Sequence, residues 1–198
     1  MKKALLFALA LAVIPVGVDA QGTPSDSCSD MTVLSPLEDL RSCAEQGDAD
    51  LQLMLGDMYY TGTGGYYLLP VDYAEAARWY RLAAEQGLAE AQSGLGHIYS
   101  DGEGVPEDDA EAARWYRLAA EQGFAEAQNN LGRMYSSGEG VPEDGVLAYM
   151  WYNLAAAQGS EVAQENKDII ERRMTREQIA EAQRMSREWL EAHPGGGN

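Results

Sequence analysis

Fourteen residues, Ala74 through Gly87, recur without a change as Ala110 through Gly123. A third, diverged copy from Val146 to Gly159 keeps Trp151, Tyr152, Leu154, Ala155, Ala156, Gln158 and Gly159. Trp79, Trp115 and Trp151 stand 36 positions apart, and Gly87, Gly123 and Gly159 keep the same step, whereas Gly47 precedes Gly87 by 40. A fixed period in the thirties means that each unit is one supersecondary element, unable to bury its apolar face alone and obliged to stack on its neighbours. The chain is therefore read as a solenoid.

Each unit divides into two helices. The first carries apolar residues at i, i+4, i+7 and i+8: Leu51, Leu55, Met58 and Tyr59, with counterparts Ala91, Leu95, Ile98 and Tyr99, then Ala127, Leu131, Met134 and Tyr135. That spacing is one face of an α-helix. The second carries Ala76, Trp79, Tyr80 and Ala83, and the Trp and Tyr columns are read as core ladders rather than a binding stripe. Gly87 and Gly123 stand where a helix ends in a left-handed residue. Gly102-Glu103-Gly104-Val105-Pro106 and its copy from Gly138 punctuate the link between the two helices. No stretch alternates with period two, so the expected class is all-α with no sheet. Gly56, Gly96 and Gly132 share one position inside the first helices, where each costs about 1 kcal/mol against alanine. Three in register imply that neighbouring helices approach closely there.

The units are expected at 48–87, 88–123 and 124–159, between atypical ends. Residues 21–47 form an N-terminal tail and a capping helix, which Ser35-Pro36-Leu37-Glu38 opens as a capping box with Ser35 at the N-cap and Pro36 at the first helical position. After Gly159 the pattern decays: Lys167, Asp168 and Glu171 stand where Leu, Gly and Tyr belong. Residues 160–192 are read as a degenerate repeat and C-terminal capping helices. The last of these starts at a second capping box, Thr175 to Gln178, and carries Ile179, Ala182, Met185 and Trp189. Residues 193–198 are expected to be a disordered tail.

The pattern A-x-x-x-L-G-x-x-Y, then G-x-G-V-x-x-D, then A-x-x-W-Y-x-x-A-A-x-Q-G appears in the second unit as Ala91, Leu95, Gly96, Tyr99, then Gly102, Gly104, Val105, Asp108, then Ala112, Trp115, Tyr116, Ala119, Ala120, Gln122, Gly123. These residues resemble the Sel-1-like repeat family, a tetratricopeptide-like branch of the α/α solenoids, over about residues 44 to 160. The resemblance implies a right-handed superhelix of antiparallel helix pairs with a concave face. It also implies an adaptor or binding role, since the family's members generally scaffold complexes in envelope, signalling and host-contact settings. It implies no shared catalytic residues.

Composition narrows the setting. The 14 basic residues face 32 acidic ones, a net charge of −18, which repels nucleic acid and anionic lipid. Residues 21–166 hold 6 basic and 25 acidic residues, and residues 167–198 hold 6 of each, so the excess sits on the N-terminal cap and the repeats. Lys2 and Lys3, the apolar run Ala4 to Val18 and the small residues up to Ala20 read as a signal peptide over residues 1–20, cleaved after Ala20. The alternative is a retained anchor, though the run is short for a bilayer span and holds Pro15 and Gly17. No second hydrophobic segment follows, so the mature form is expected to have no membrane span and to be periplasmic or secreted. In an oxidising compartment Cys28 and Cys43 most simply pair, closing a loop worth about 3 kcal/mol. The alternative, a reactive thiol, lacks a C-x-x-C and a nearby histidine.

No zinc-protease, phosphate-loop or nucleophile-elbow motif occurs, and the only histidines are His97 and His193. No cofactor, metal or catalytic residue is assigned. Asp101, Glu103, Glu107, Asp108 and Asp109 cluster without the order of a calcium loop and read as a solvated acidic edge. Some secreted relatives with this repeat are linked to penicillin binding or β-lactam hydrolysis, but those carry a cysteine pair in every repeat and this chain has none within its repeats. The candidate ligand readers are the columns that vary while the ladder stays fixed: Leu53, Ser93 and Asn129; Met54, Gly94 and Asn130; Asp57, His97 and Arg133. They share a helix face away from the packed one, which by analogy with related solenoids lines the concave groove; neutral drift of an exposed surface is the alternative. The second candidate is the insertion holding Tyr66, Tyr67 and Leu68, which either meets a partner or folds back over the N-terminal end. The expected function is an exported protein-binding scaffold or adaptor in the cell envelope or outside the cell. Its partner is a protein, and a basic one if steered by charge. The alternatives are a secreted hydrolase of the β-lactamase or cell-wall class and a purely structural envelope protein.

Overall fold

The residues that end the helices set the length of every unit. The computed structural model describes residues 28–64 and 67–194. A 3-10 turn at Cys28–Asp30 precedes α1 (Leu37–Glu45). Three helix pairs follow, α2 (Ala49–Thr61) with α3 (Tyr73–Glu85), α4 (Ala89–Asp101) with α5 (Asp109–Glu121), and α6 (Ala125–Ser137) with α7 (Gly145–Ala157), before α8 (Glu161–Glu171) and α9 (Arg176–Ala192) close the array. All six helices of the pairs have 13 residues, about 20 Å of axis each. The chain is an all-α, α/α solenoid of stacked helix pairs, as the periodicity requires. Residues 1–20, read from sequence as a signal peptide, residues 21–27 and the last four residues lie outside the described residues.

The second helices stop in one way. Gly87 takes φ +97°, its N–H donates to the Ala84 carbonyl, and the Leu88 N–H reaches the Ala83 carbonyl. These two bonds satisfy carbonyls that the helix end leaves open, and Gly123 with Phe124 and Gly159 with Ser160 repeat them. The starts of α3, α5 and α7 are capped by Asp72, Asp108 and Asp144, whose carboxylates accept backbone N–H groups at 2.9–3.0 Å. Part of the acidic edge is thus helix-capping chemistry.

The expected close approach is a tyrosine ring laid on bare backbone. A Cβ on Gly56 would meet the Tyr80 ring at 2.4 Å, one on Gly96 the Tyr116 ring at 2.7 Å, and one on Gly132 the Tyr152 ring at 2.8 Å. Each contact joins the first helix of a pair to its second. The link between helices is pinned across units: a Cβ on Gly140 would stand 2.1 Å from the Asp109 carbonyl oxygen, at the start of the preceding unit's second helix.

Two polar ladders lock the stacking. Gln52, Gln92 and Gln128 are buried, and each donates to a carbonyl of the preceding helix, Ala44, Ala84 and Ala120. Each also accepts at 2.8 Å from a glutamine closing its own pair, Gln86, Gln122 or Gln158. Arg41, Arg81 and Arg117 donate to the hydroxyls of Tyr59, Tyr99 and Tyr135. The tryptophans bridge backwards: Trp115 packs in the core of the first unit, and Trp151 in that of the second.

Two details depart from expectation. Ser35 does not cap α1: Pro36 holds ψ at 135°, outside the helical region, so the helix starts one residue later. The Ser35 hydroxyl instead accepts from the Thr32 N–H at 3.1 Å. The capping box at Thr175 and Gln178 does form. A two-residue antiparallel hairpin, β1 (Thr63–Gly64) with β2 (Tyr67–Leu68), occupies the insertion where no strand was expected, because a stretch this short carries no readable alternation. Cys28 and Cys43 form the expected disulfide with Cα atoms 5.6 Å apart, tying the first turn to α1. At the other end Ala182 is buried in α9, and the Trp189 ring sits edge-on to Trp151 at 6.2 Å.

Gly138 and Gly140 separate conformational strain from steric clash. Both have positive φ, but a Cβ on Gly138 meets nothing closer than 3.4 Å. Gly138→Ala is expected to cost about 1–2 kcal/mol, the left-handed penalty alone. Gly140→Ala is expected to cost about 2–5 kcal/mol, because backbone must also move. Denaturant midpoints of the two variants check the order.

Candidate functional site

The tyrosine ladder ends in a groove. One edge of the Tyr80 ring rests on Gly56 of α2, and the other lies 3.2 Å from where a Cβ on Gly94 of α4 would stand. Held between two first helices, the ring is 5% exposed, yet its hydroxyl donates to Asp57 Oδ1 at 2.8 Å. A cavity of about 450 Å³ opens at this point along α2, α4 and the start of α6. Asp57, Tyr60 and Thr61 form one wall, and Tyr80 forms the floor. Glu90, Ser93, Gly94 and His97 form the facing wall, which Phe124 and Glu126 complete.

The lining holds three carboxylates, one histidine and no lysine or arginine. Desolvation by the groove walls pushes the Asp57 carboxyl above its ordinary value, and the Tyr80 hydroxyl offsets part of the shift. Burial also raises Glu90, with the negative charges of Asp57 and Glu126 adding to it. Glu126 goes the other way: its hydrogen bond with His97, Oε1 to Nε2 at 2.7 Å, holds it below its ordinary value against desolvation. The Asn130 amide lies 3.2 Å from the same ring nitrogen, and the edge of the His97 ring faces Tyr116 at 5.5 Å. Burial pushes the Tyr80 and Tyr116 hydroxyls far above their ordinary range, so both stay protonated.

The variable columns separate. Asp57, Ser93, Gly94 and His97 line the cavity, although Ser93 is 2% exposed where an open surface was expected. Leu53 and Met54 pack against the first core cluster. Asn129 accepts from the Asn166 amide of α8 at 3.0 Å, and Arg133 pairs with Glu139 at 3.0 Å. Leu68 is 88% exposed and Leu69 packs on the core, so the insertion turns only part of itself inward. Tyr66 lies outside the described residues, and Tyr67 contributes backbone to β2.

Sequence reasoning missed Glu90, Glu126, Tyr60 and Phe124. Tyr60 was findable by the column rule, since Ser100 and Ser136 hold its place in the other units. Glu90 and Glu126 were not, because they sit in identical Ala-Glu-Ala-Gln segments and their column, with Asp50 in the first unit, stays acidic through the three units. The sequence places Tyr80 in a core column, whereas in the structure its ring is core and its hydroxyl is groove.

The chain matches the model of the Sel1 repeat three times in succession, over residues 49–88, 89–124 and 125–160. Over 63 residues it is 42% identical to the ERAD-associated E3 ubiquitin-protein ligase component HRD3B of Arabidopsis thaliana, and 36% identical to HRD3A of the same plant. Those matches take in 32% of this chain and 10% and 9% of the two relatives, so the chain spans only a small part of their length. Among solved structures, c5321, a protective antigen of uropathogenic Escherichia coli strains with an SLR fold, superposes with a TM-score of 0.72 at 35% identity. That likeness covers 79% of this chain and 32% of the other. A Sel1 repeat protein from Oxalobacter formigenes superposes with a TM-score of 0.58 at 46% identity, covering 67% of this chain and 96% of the other.

Opposite shifts of neighbouring carboxyls give opposite effects of neutralising them. Glu90 is raised when folded, so its charge opposes folding above the ordinary value of 4.5 and has no effect once both states are protonated. Glu126 is lowered, so its charge favours folding at neutral pH and the benefit is lost on acidification. Glu90→Gln is therefore expected to raise the melting temperature at pH 7 and Glu126→Gln to lower it. The Glu90 difference should close as pH falls below the ordinary value of 4.5, and the Glu126 difference only further into acid, below its lowered value, which thermal melts across pH check.

Proposed function

This chain belongs to the Sel1 repeat family, and we propose that it works as an exported protein-binding scaffold whose groove along α2, α4 and α6 takes a basic segment of a protein partner. The observation that carries the reading is the composition of the cavity, three carboxylates and four aromatic rings including histidine around one opening. Such a lining favours cationic groups with apolar stems over anions, and it steers them by charge. The surrounding surface adds to the field, because the acidic excess of the protein lies on the cap and the repeats.

Two kinds of likeness support a scaffold. The repeat is one that the HRD3 relatives carry as components of a ubiquitin ligase, over the 63 residues shared with them. The c5321 likeness is to a protective antigen, which accords with a place in the envelope or outside the cell. The run from Lys2 to Ala20 supports export for the reasons of charge and apolar length already given. No helix among the described residues is long and apolar enough to cross a membrane.

Export and capture are measured separately. The protein recovered from a secreting bacterial host is expected to begin at Gln21; a membrane-held form that still begins at Met1 would favour the retained anchor. Affinity capture of the form beginning at Gln21 from envelope extract, followed by mass spectrometry, is expected to enrich a basic protein. Its yield should fall as added salt shortens the screening length from about 10 Å at 0.1 M to about 3 Å at 1 M. Enrichment of no protein removes the scaffold reading, and enrichment of one whose capture ignores salt removes the electrostatic groove reading.

A further inference from the structure

We infer that the part of the groove between Asp57 of α2 and Glu90 of α4 is an arginine pocket, which seats the guanidinium of a protein partner between the two carboxylates and against the Tyr60 ring. The inference rests on the scaffold reading and names what that groove grips.

The repeat provides the same cell twice, and only one is open. In the second cell Glu126 is paired with His97 at 2.7 Å, and the Asn130 side chain closes on the same nitrogen. In the first cell the corresponding positions are Glu90, Asp57 and Gly94. Two acids replace an acid and a base, and a glycine replaces the asparagine that would fill the space. Neither Asp57 nor Glu90 makes an ion pair among the described residues. Two desolvated negative charges facing each other without a cation leave a site that a cation completes.

An independent observation lies at the back of the same cavity. Ser93 is 2% exposed and lines the cavity, and its hydroxyl has no hydrogen-bond partner. Buried polar groups are nearly always satisfied, so an unpaired hydroxyl beside a carboxylate pair points to a missing donor. A guanidinium supplies five N–H donors in one plane, enough for both carboxylates and the hydroxyl together.

The remaining features choose arginine over other cations. Tyr60 lies 5.3 Å from Tyr73 and 6.3 Å from Tyr80, an aromatic wall on which a weakly hydrated planar cation stacks better than an ammonium. A bare metal ion is disfavoured, since the described residues bring no three histidine, cysteine or acidic side chains together in a way that could hold one. At about 450 Å³ the opening takes a side chain and its neighbouring backbone.

The test uses the form beginning at Gln21 and three probes: N-acetyl-Gly-Arg-Gly-amide and its lysine and citrulline counterparts. Amide shifts in two-dimensional NMR are followed on titration. The arginine peptide is expected to shift Tyr80, Ser93 and Gly94 saturably, the lysine peptide to bind about tenfold more weakly, and the uncharged citrulline peptide not to bind. Asp57→Asn with Glu90→Gln should weaken the arginine peptide by about tenfold or more. Ser93→Ala, which removes an unpaired hydroxyl, should keep the melting temperature and still weaken binding. Equal binding of the citrulline peptide, unchanged binding to the double variant, or shifts spread over the acidic loops would overturn the pocket. A partner captured equally by the wild type and the double variant would overturn it while leaving the scaffold reading intact. Saturable arginine binding without any captured partner would leave the pocket and remove the scaffold.

Discussion

A tyrosine ring pressed onto helix backbone is the contact on which the rest depends. Tyr80, Tyr116 and Tyr152 each need the absence of a side chain at Gly56, Gly96 and Gly132, since a Cβ there would lie 2.4–2.8 Å from ring carbons. The contact fixes how the two helices of a pair cross, because a ring seated on a glycine leaves little room to slide. It also fixes which end of the tyrosine is wet. The ring is spent on the core, and at Tyr80 the hydroxyl emerges among the first helices to meet Asp57. Fold and site share one residue.

Stacking one pair on the next is a separate problem with a polar solution. The buried glutamines Gln52, Gln92 and Gln128 each satisfy a carbonyl of the preceding helix and accept from the glutamine that closes their own pair. Apolar packing alone tolerates small slips, whereas a buried amide that slips loses its partners and is left unsatisfied. The ladder therefore sets register between units, as the tyrosine–glycine contact sets it within them. The ends leave this lattice by other means: a disulfide and a short helix at one end, and a long helix holding Trp189 against Trp151 at the other.

A regular lattice makes equivalent cells, and function resides in how those cells differ. Asp57, His97 and Arg133 occupy one column and take three fates. Asp57 faces Glu90 and has no ion-pair partner among the described residues, His97 binds Glu126 across the groove, and Arg133 turns to Glu139 of its own loop. The groove thus changes from unneutralised acid to balanced charge along the array. The acidic excess spread over the repeats supplies the long-range field, and the first cell supplies the place where it is least compensated.

The helix pairs, their ends and their number were legible in the sequence because each is a local matter. Apolar spacing fixes the faces, glycine at a left-handed position fixes the stops, and an exact 36-residue repeat fixes the stacking. The variable columns pointed to Asp57, Ser93 and His97 for the same reason: a ladder that stays constant exposes whatever does not. The rest was decided by three-dimensional contact. Glu90 and Glu126 are identical in sequence surroundings, yet one is raised and the other lowered, because the residue opposite each comes from another helix. Ser93 is buried although its column varies, and Ser35 fails to cap because Pro36 is extended. Periodicity by itself determined that the chain is a solenoid of helix pairs with a close approach at each first-helix glycine. Only the tertiary structure decided where the groove opens, because an opening depends on which side chains from different units fail to meet.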